Sequence, residues 1–102
     1  MQCEIILRAD GQPPYLECDP EAVLIRDFFE ADIQDTPDFA ALILGRASDS
    51  SASFEISGNL FTLSVHQGEF RLEHQFDDTE QLSGDWLFLE TLLKDWIKAQ
   101  RK

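Results

Sequence analysis

Two cysteines, two histidines and twenty acidic residues are the side chains with which this chain could do chemistry. A Cys–His nucleophile pair needs a thiol within reach of an imidazole. The residues available are Cys3 or Cys18 with His66 or His74. Cys3 falls in the apolar run Cys-Glu-Ile-Ile-Leu, where a thiol behaves as a small hydrophobe. His66 stands beside a turn. His74 is in phase with Phe70, Leu72 and Phe76, as a packed strand histidine would be. A zinc site needs closely spaced ligands, and neither the Cys3/Cys18 nor the His66/His74 spacing matches one. The acidic stretch Asp32-Ile33-Gln34-Asp35-Thr36-Pro37-Asp38 lacks the central glycine and terminal bidentate glutamate of a calcium loop. No Gly-rich phosphate cradle is present, and the chain leaves little room for a substrate cleft between paired carboxylates. The sequence is therefore read as non-enzymatic, with no catalytic residue, no metal and no cofactor.

What remains is charge. Twenty acids against eight bases give a formal net charge of −12. Four of the bases, Lys94, Lys98, Arg101 and Lys102, are crowded at the C-terminal end. The rest of the chain carries an uncompensated negative field, which repels nucleic acid and anionic lipid and attracts basic protein. Its densest part runs from Glu17 to Asp38, with eight acids, Arg26 as the only base, and Phe28, Phe29 and Phe39 interleaved. Acids steer a basic partner and aromatics anchor it. Asp27, Glu30, Asp32, Asp35 and Asp38 are accordingly the expected partner-binding residues, and the expected partner is a basic protein, not nucleic acid or membrane. Two cysteines are too few for a disulfide framework. No cationic run followed by an apolar core opens the chain, and the longest apolar run, Phe39 to Leu44, is far short of a membrane span. These features point to the reducing cytoplasm.

The elements that must hold these residues are partly legible. Residues 3–9 and 15–18 read as strands around the turn Asp10-Gly11-Gln12-Pro13-Pro14. Asp19-Pro20-Glu21 reads as a helix start, with Asp19 capping free amides. A helix from 20 to about 32 follows, although Val23–Phe29 also suits a long strand. Thr36-Pro37-Asp38 opens a short helix over 39–44, ended by Gly45, and Ser48–Ser53 reads as a polar loop. Alternation of Phe54, Ile56, Phe61, Leu63, Val65, Phe70, Leu72, His74 and Phe76 with polar residues predicts an antiparallel meander over 53–76 with one apolar face. Leu82, Trp86, Leu89, Leu93 and Trp96, with Leu92 and Ile97 beside them, form the stripe of an amphipathic helix over about 84–100. The expectation is one α+β domain over 1–102, an antiparallel sheet of about four or five strands with the C-terminal helix on one face.

The run Gly58-Asn59-Leu60-Phe61-Thr62-Leu63, Gly68-Glu69-Phe70-Arg71-Leu72-Glu73, Leu82-Ser83, Phe88-Leu89 and Leu92-Leu93-Lys94-Asp95-Trp96 resembles small bacterial immunity proteins of contact-dependent growth inhibition and related polymorphic toxin systems. It is also similar to a family of acidic bacterial proteins typified by YacL. The resemblance covers roughly 54–97 and describes a meander and a helix. It implies an inhibitor that occludes a cognate toxin, commonly a nuclease. It carries over no individual functional residue. The other reading is a small acidic adaptor or regulatory domain that binds another protein.

Overall fold

A computed structural model describes residues 1–34, 36–49 and 53–100. The elements run β1 (Cys3–Ile6), β2 (Tyr15–Cys18), a 3-10 turn (Pro20–Ala22), α1 (Val23–Phe28), a π-helical turn (Phe29–Ile33), α2 (Asp38–Asp49), β3 (Ser53–Ser57), β4 (Phe61–His66), β5 (Glu69–His74), β6 (Gln81–Asp85) and α3 (Trp86–Gln100). The fold is α+β, as the patterning predicts.

β3 to β6 form a four-stranded antiparallel meander in sequence order. Its register places Ile56, Leu63, Leu72 and Leu82 in one row across the sheet, and Phe54, Val65 and Phe70 in another. These rows make the apolar face. The period of two sends Glu55, Ser64, Arg71 and Ser83 to the opposite face, which stays polar. The β4–β5 turn is Gln67-Gly68, both at positive φ (51° and 81°). That handedness matches the twist of the strands it joins, which is why such two-residue hairpins favour glycine.

α3 packs on β5 and β6, with α2 alongside. Leu89, Leu92, Leu93 and Trp96 are its buried residues. α1 reaches the sheet through Phe28, whose ring meets Phe61 edge-on at 5.9 Å. The β1–β2 hairpin is a separate two-stranded sheet, laid against α1 through β2 and against α3 through β1. Cys3 and Cys18 are register partners at its open end, and their sulfurs are joined in a disulfide. The sequence reading of two unlinked thiols is thus corrected. Residues fifteen apart in sequence give no sign of pairing until the hairpin puts them opposite one another. Among the described residues no helix is long and apolar enough to cross a membrane.

Several local expectations change. Residues 20–33 are helical throughout, so the strand alternative falls. Asp19 makes no side-chain cap. Its carboxylate instead accepts the Gln2 amide at 3.0 Å. α2 does not stop at Gly45 but continues to Asp49, and only residues 50–52 of the expected polar loop lie outside the described residues. Leu82 belongs to a fourth strand and not to the helix stripe. The strand ends at His74, so Phe76 leaves the apolar face and stands 76% exposed.

Candidate functional site

The acidic segment is built around the π-helical turn. Ile25, Phe28, Phe29 and Ile33 are all buried, at the i, i+3, i+4, i+8 spacing of one helix face. The chain widens at Phe29–Ile33, closing with the Gln34 amide donating to the Phe29 carbonyl at 2.6 Å. One extra residue in the turn rotates the succeeding residues by about 100° relative to a continuous α-helix. Asp32 and Ile33, on the same face, both turn inward.

Gln34 ends the turn at φ 59°, ψ −163°. This region is open to glycine and strained for other residues, at a cost of about 1–3 kcal/mol. The conformation is held from three sides. The Gln34 amide is bonded as above, its carbonyl accepts the Trp96 indole N–H at 3.1 Å, and its side-chain amide donates to the Ala31 carbonyl at 3.0 Å. Strain maintained by surrounding contacts is more common at functional segments than elsewhere.

The five expected partner-binding residues separate under this geometry. Asp27 is half-buried, and its carboxylate lies 3.5 Å from Arg26. Glu30 is exposed, 4.0 Å from the same guanidinium. Asp38 is exposed in the first turn of α2. Asp35 lies outside the described residues.

Asp32 is the correction. It is 7% exposed and is the only buried polar or charged residue among those described. One carboxylate oxygen accepts the Asn59 and Leu60 amides at 2.8 and 2.9 Å, and the other accepts the Phe61 amide at 2.9 Å. A carboxylate saturated by three backbone donors inside the fold cannot also meet a partner. Asp32 therefore brackets the β3–β4 turn onto the π turn. The fixed Cβ of any residue other than glycine at position 58 would stand 2.6 Å from its carboxylate, so Gly58 is required for close approach.

That bracket supports an exposed corner that the sequence reading missed. Asn59 donates its side-chain amide to Ala31 at 3.2 Å, and Gln75 donates to the carbonyls of Gly58 and Phe61 at 3.0 and 2.9 Å. Leu60 (36% exposed) and Phe76 are presented from this fixed frame. Asp77, Asp78 and Glu80 follow Phe76 directly and are exposed. Asp77 accepts the Thr79 hydroxyl at 2.6 Å and the Thr79 amide at 3.1 Å, and these donors hold its carboxyl below the ordinary carboxylate range. The signal available in the sequence was a phenylalanine directly before a turn-forming Asp-Asp-Thr, where a strand cannot continue.

On the other side of the π turn a cleft of about 220 Å³ opens between the start of β2 and α3. Its walls include Pro14, Tyr15, Phe29 and Trp96, and Glu30 supplies the one charged group among its lining residues. Among the described residues, no three His, Cys, Asp or Glu side chains come together as a metal site. His74 packs edge-on against Phe61 at 5.0 Å, and its Nδ1 accepts the Phe76 amide at 3.1 Å. Comparison with family models, with curated proteins and with solved structures found no match for this chain.

Proposed function

We propose that this protein is a non-enzymatic acidic binding protein of the immunity type. In this reading it neutralises a basic toxin domain, a nuclease, by steering onto its nucleic-acid cleft and occluding the active site. The reading rests chiefly on one observation. Asp27, Glu30 and Asp38 stay on the surface of a segment whose only base is Arg26, within a chain of net charge −12. A nuclease must hold phosphate, so its cleft is basic, and an acidic surface competes for it. The Phe76 corner adds support, because an exposed aromatic on a fixed frame beside acids is the composition of an interface anchor. The proposed compartment is the cytoplasm, where a cognate nuclease would meet its substrate. The Cys3–Cys18 pair would be reduced there, so binding should not depend on the bond.

The test is to purify the product of the adjacent gene and measure its association with this protein at several salt concentrations. A stoichiometric complex that abolishes nuclease activity is expected, with an association rate that falls as salt rises, since exposed charges are screened over about 8–10 Å near physiological ionic strength. Reversing Asp27, Glu30 and Asp38 together to lysine should slow association further, and the same change at Glu69 and Glu73 in the meander should matter less. A complex whose association rate ignores both salt and the reversal would remove the electrostatic mechanism. Failure to bind that product, together with binding to a non-toxin protein, would favour an acidic adaptor.

A further inference from the structure

We propose that the cleft beside Glu30 receives an arginine side chain projected by the bound partner. The inference deepens the binding reading and rests on it. At about 220 Å³ the cleft falls below the roughly 300–1,000 Å³ of small-molecule sites, so it suits one side chain better than a metabolite. Its chemistry is divided in the way an arginine is divided. Pro14, Tyr15, Phe29 and Trp96 offer apolar and aromatic walls for an aliphatic stem, and Glu30 offers a carboxylate for the charged head. The Glu30 side chain is 67% exposed, and its internal partner, Arg26, is only at the 4.0 Å limit of an ion pair. A carboxylate so weakly engaged is available to a second cation.

Charge complementarity selects the occupant. A neutral apolar side chain would fill the walls but take Glu30 out of water with only its distant Arg26 contact in exchange, which is unfavourable. An anion would be repelled. Guanidinium is preferred to ammonium because it is planar, less strongly hydrated and stacks on aromatic faces. The chain itself uses the same ring in this way, since the Arg8 guanidinium lies 4.5 Å from the centre of the Tyr15 ring. Arg8 is not among the residues lining the cleft. The cleft wall is also fixed in advance. The strained Gln34 holds the Trp96 indole N–H, and Trp96 meets Phe29 edge-on at 5.2 Å. A pre-set pocket saves the ordering cost that weakens flexible sites.

The test needs no partner protein. The full chain, isotopically labelled, is titrated with N-acetyl-arginine-N-methylamide, and the Trp96 indole N–H resonance is followed by NMR. A saturable shift is expected, with the lysine and norleucine counterparts binding more weakly in that order. Glu30→Gln should weaken arginine binding by about threefold, the scale of one exposed ion pair, and erase most of the preference over norleucine. Tyr15→Leu keeps an apolar wall and removes the ring, and it should weaken arginine more than norleucine. An unmoved indole resonance, equal binding of the three compounds, or indifference to Glu30→Gln would overturn the proposal. Because the probe is a free compound, a cleft that ignores arginine would leave the kinetics with the partner to be judged separately. Arginine binding would likewise survive failure to find a toxin.

Discussion

Replacing Asp32 by alanine should be the most damaging single change in the acidic segment, although it removes a charge from a chain with a large excess of the same sign. Three backbone amides, of Asn59, Leu60 and Phe61, would lose their acceptor at once. Hydrogen bonds to a charged group contribute about 1.5–3 kcal/mol each, and a buried amide left unsatisfied costs about 1–3 kcal/mol. The Phe61 amide is buried and the other two are partly so, hence water can rescue some of the loss. A total of about 3–5 kcal/mol is expected, a large part of the roughly 5–15 kcal/mol of a domain this size. Asp32→Asn should cost less than alanine, since an amide oxygen can still serve Asn59 and Leu60 while its NH2 opposes the Phe61 amide. Asp27→Ala, on the surface of the same segment, should stay within about 0.5 kcal/mol. Gly58→Ala should also destabilise, and the double change with Asp32→Ala should be less than additive, because each disrupts the same bracket. Urea denaturation at neutral pH, with midpoint and slope fitted separately, reads every one of these variants. A loss below about 0.5 kcal/mol for Asp32→Ala, the level of an ordinary surface substitution, would refute the bracket and return Asp32 to the surface acids.

Leu89, fully buried under the sheet, should cost about 2–5 kcal/mol when cut to alanine, and chemical denaturation would show it. Reducing the Cys3–Cys18 bond should lower stability by about 3 kcal/mol, the value for a loop of this length; replacing both cysteines by serine should leave partner binding intact, which calorimetry can check. Phe76→Ala should leave the unfolding midpoint unchanged but weaken the partner complex by about tenfold or more, as loss of an interface anchor does. Protonating Asp77 should loosen the β5–β6 loop. Its carboxyl titrates below the ordinary range, so the contribution is present at neutral pH and is lost progressively as the pH falls through that range and below it. Amide exchange at Thr79 across an acid titration would follow it.

The parts of the fold that were legible before the structure are those with a strict period. Alternation from Phe54 to Leu72 fixed which residues face inward, because slipping one position would expose every one of them. The stripe from Leu89 to Trp96 identified α3 for the same reason. The misplaced features lie where a local signal met a tertiary demand. Asp19 has the right type and position for a cap, yet the hairpin brought the Gln2 amide within its reach. Gly45 is a sound stop signal, yet α2 continues past it to Asp49. Leu82 sits at helical spacing from Trp86 and also at strand spacing from Gly84, and pairing with Leu72 decided for the strand.

The candidate site follows the same logic more sharply. Asp27, Glu30, Asp32 and Asp38 are alike in the sequence, four acids among apolar residues. Their places on the helical segment separate them, with Glu30 at the rim of a cleft and Asp32, on the stripe of Ile25, Phe28 and Phe29, inside the fold. The π turn has no signature of its own in the sequence, since the spacing of Phe28, Phe29 and Ile33 suits a plain α-helix equally well. The strained Gln34 is the cost of that turn, and the Trp96 indole holds it in place across 62 positions of sequence. Asp32 is therefore distinguished from the exposed acids by its long-range bonds to the β3–β4 turn. A charge count over 17–38 could locate the segment but could not assign these roles.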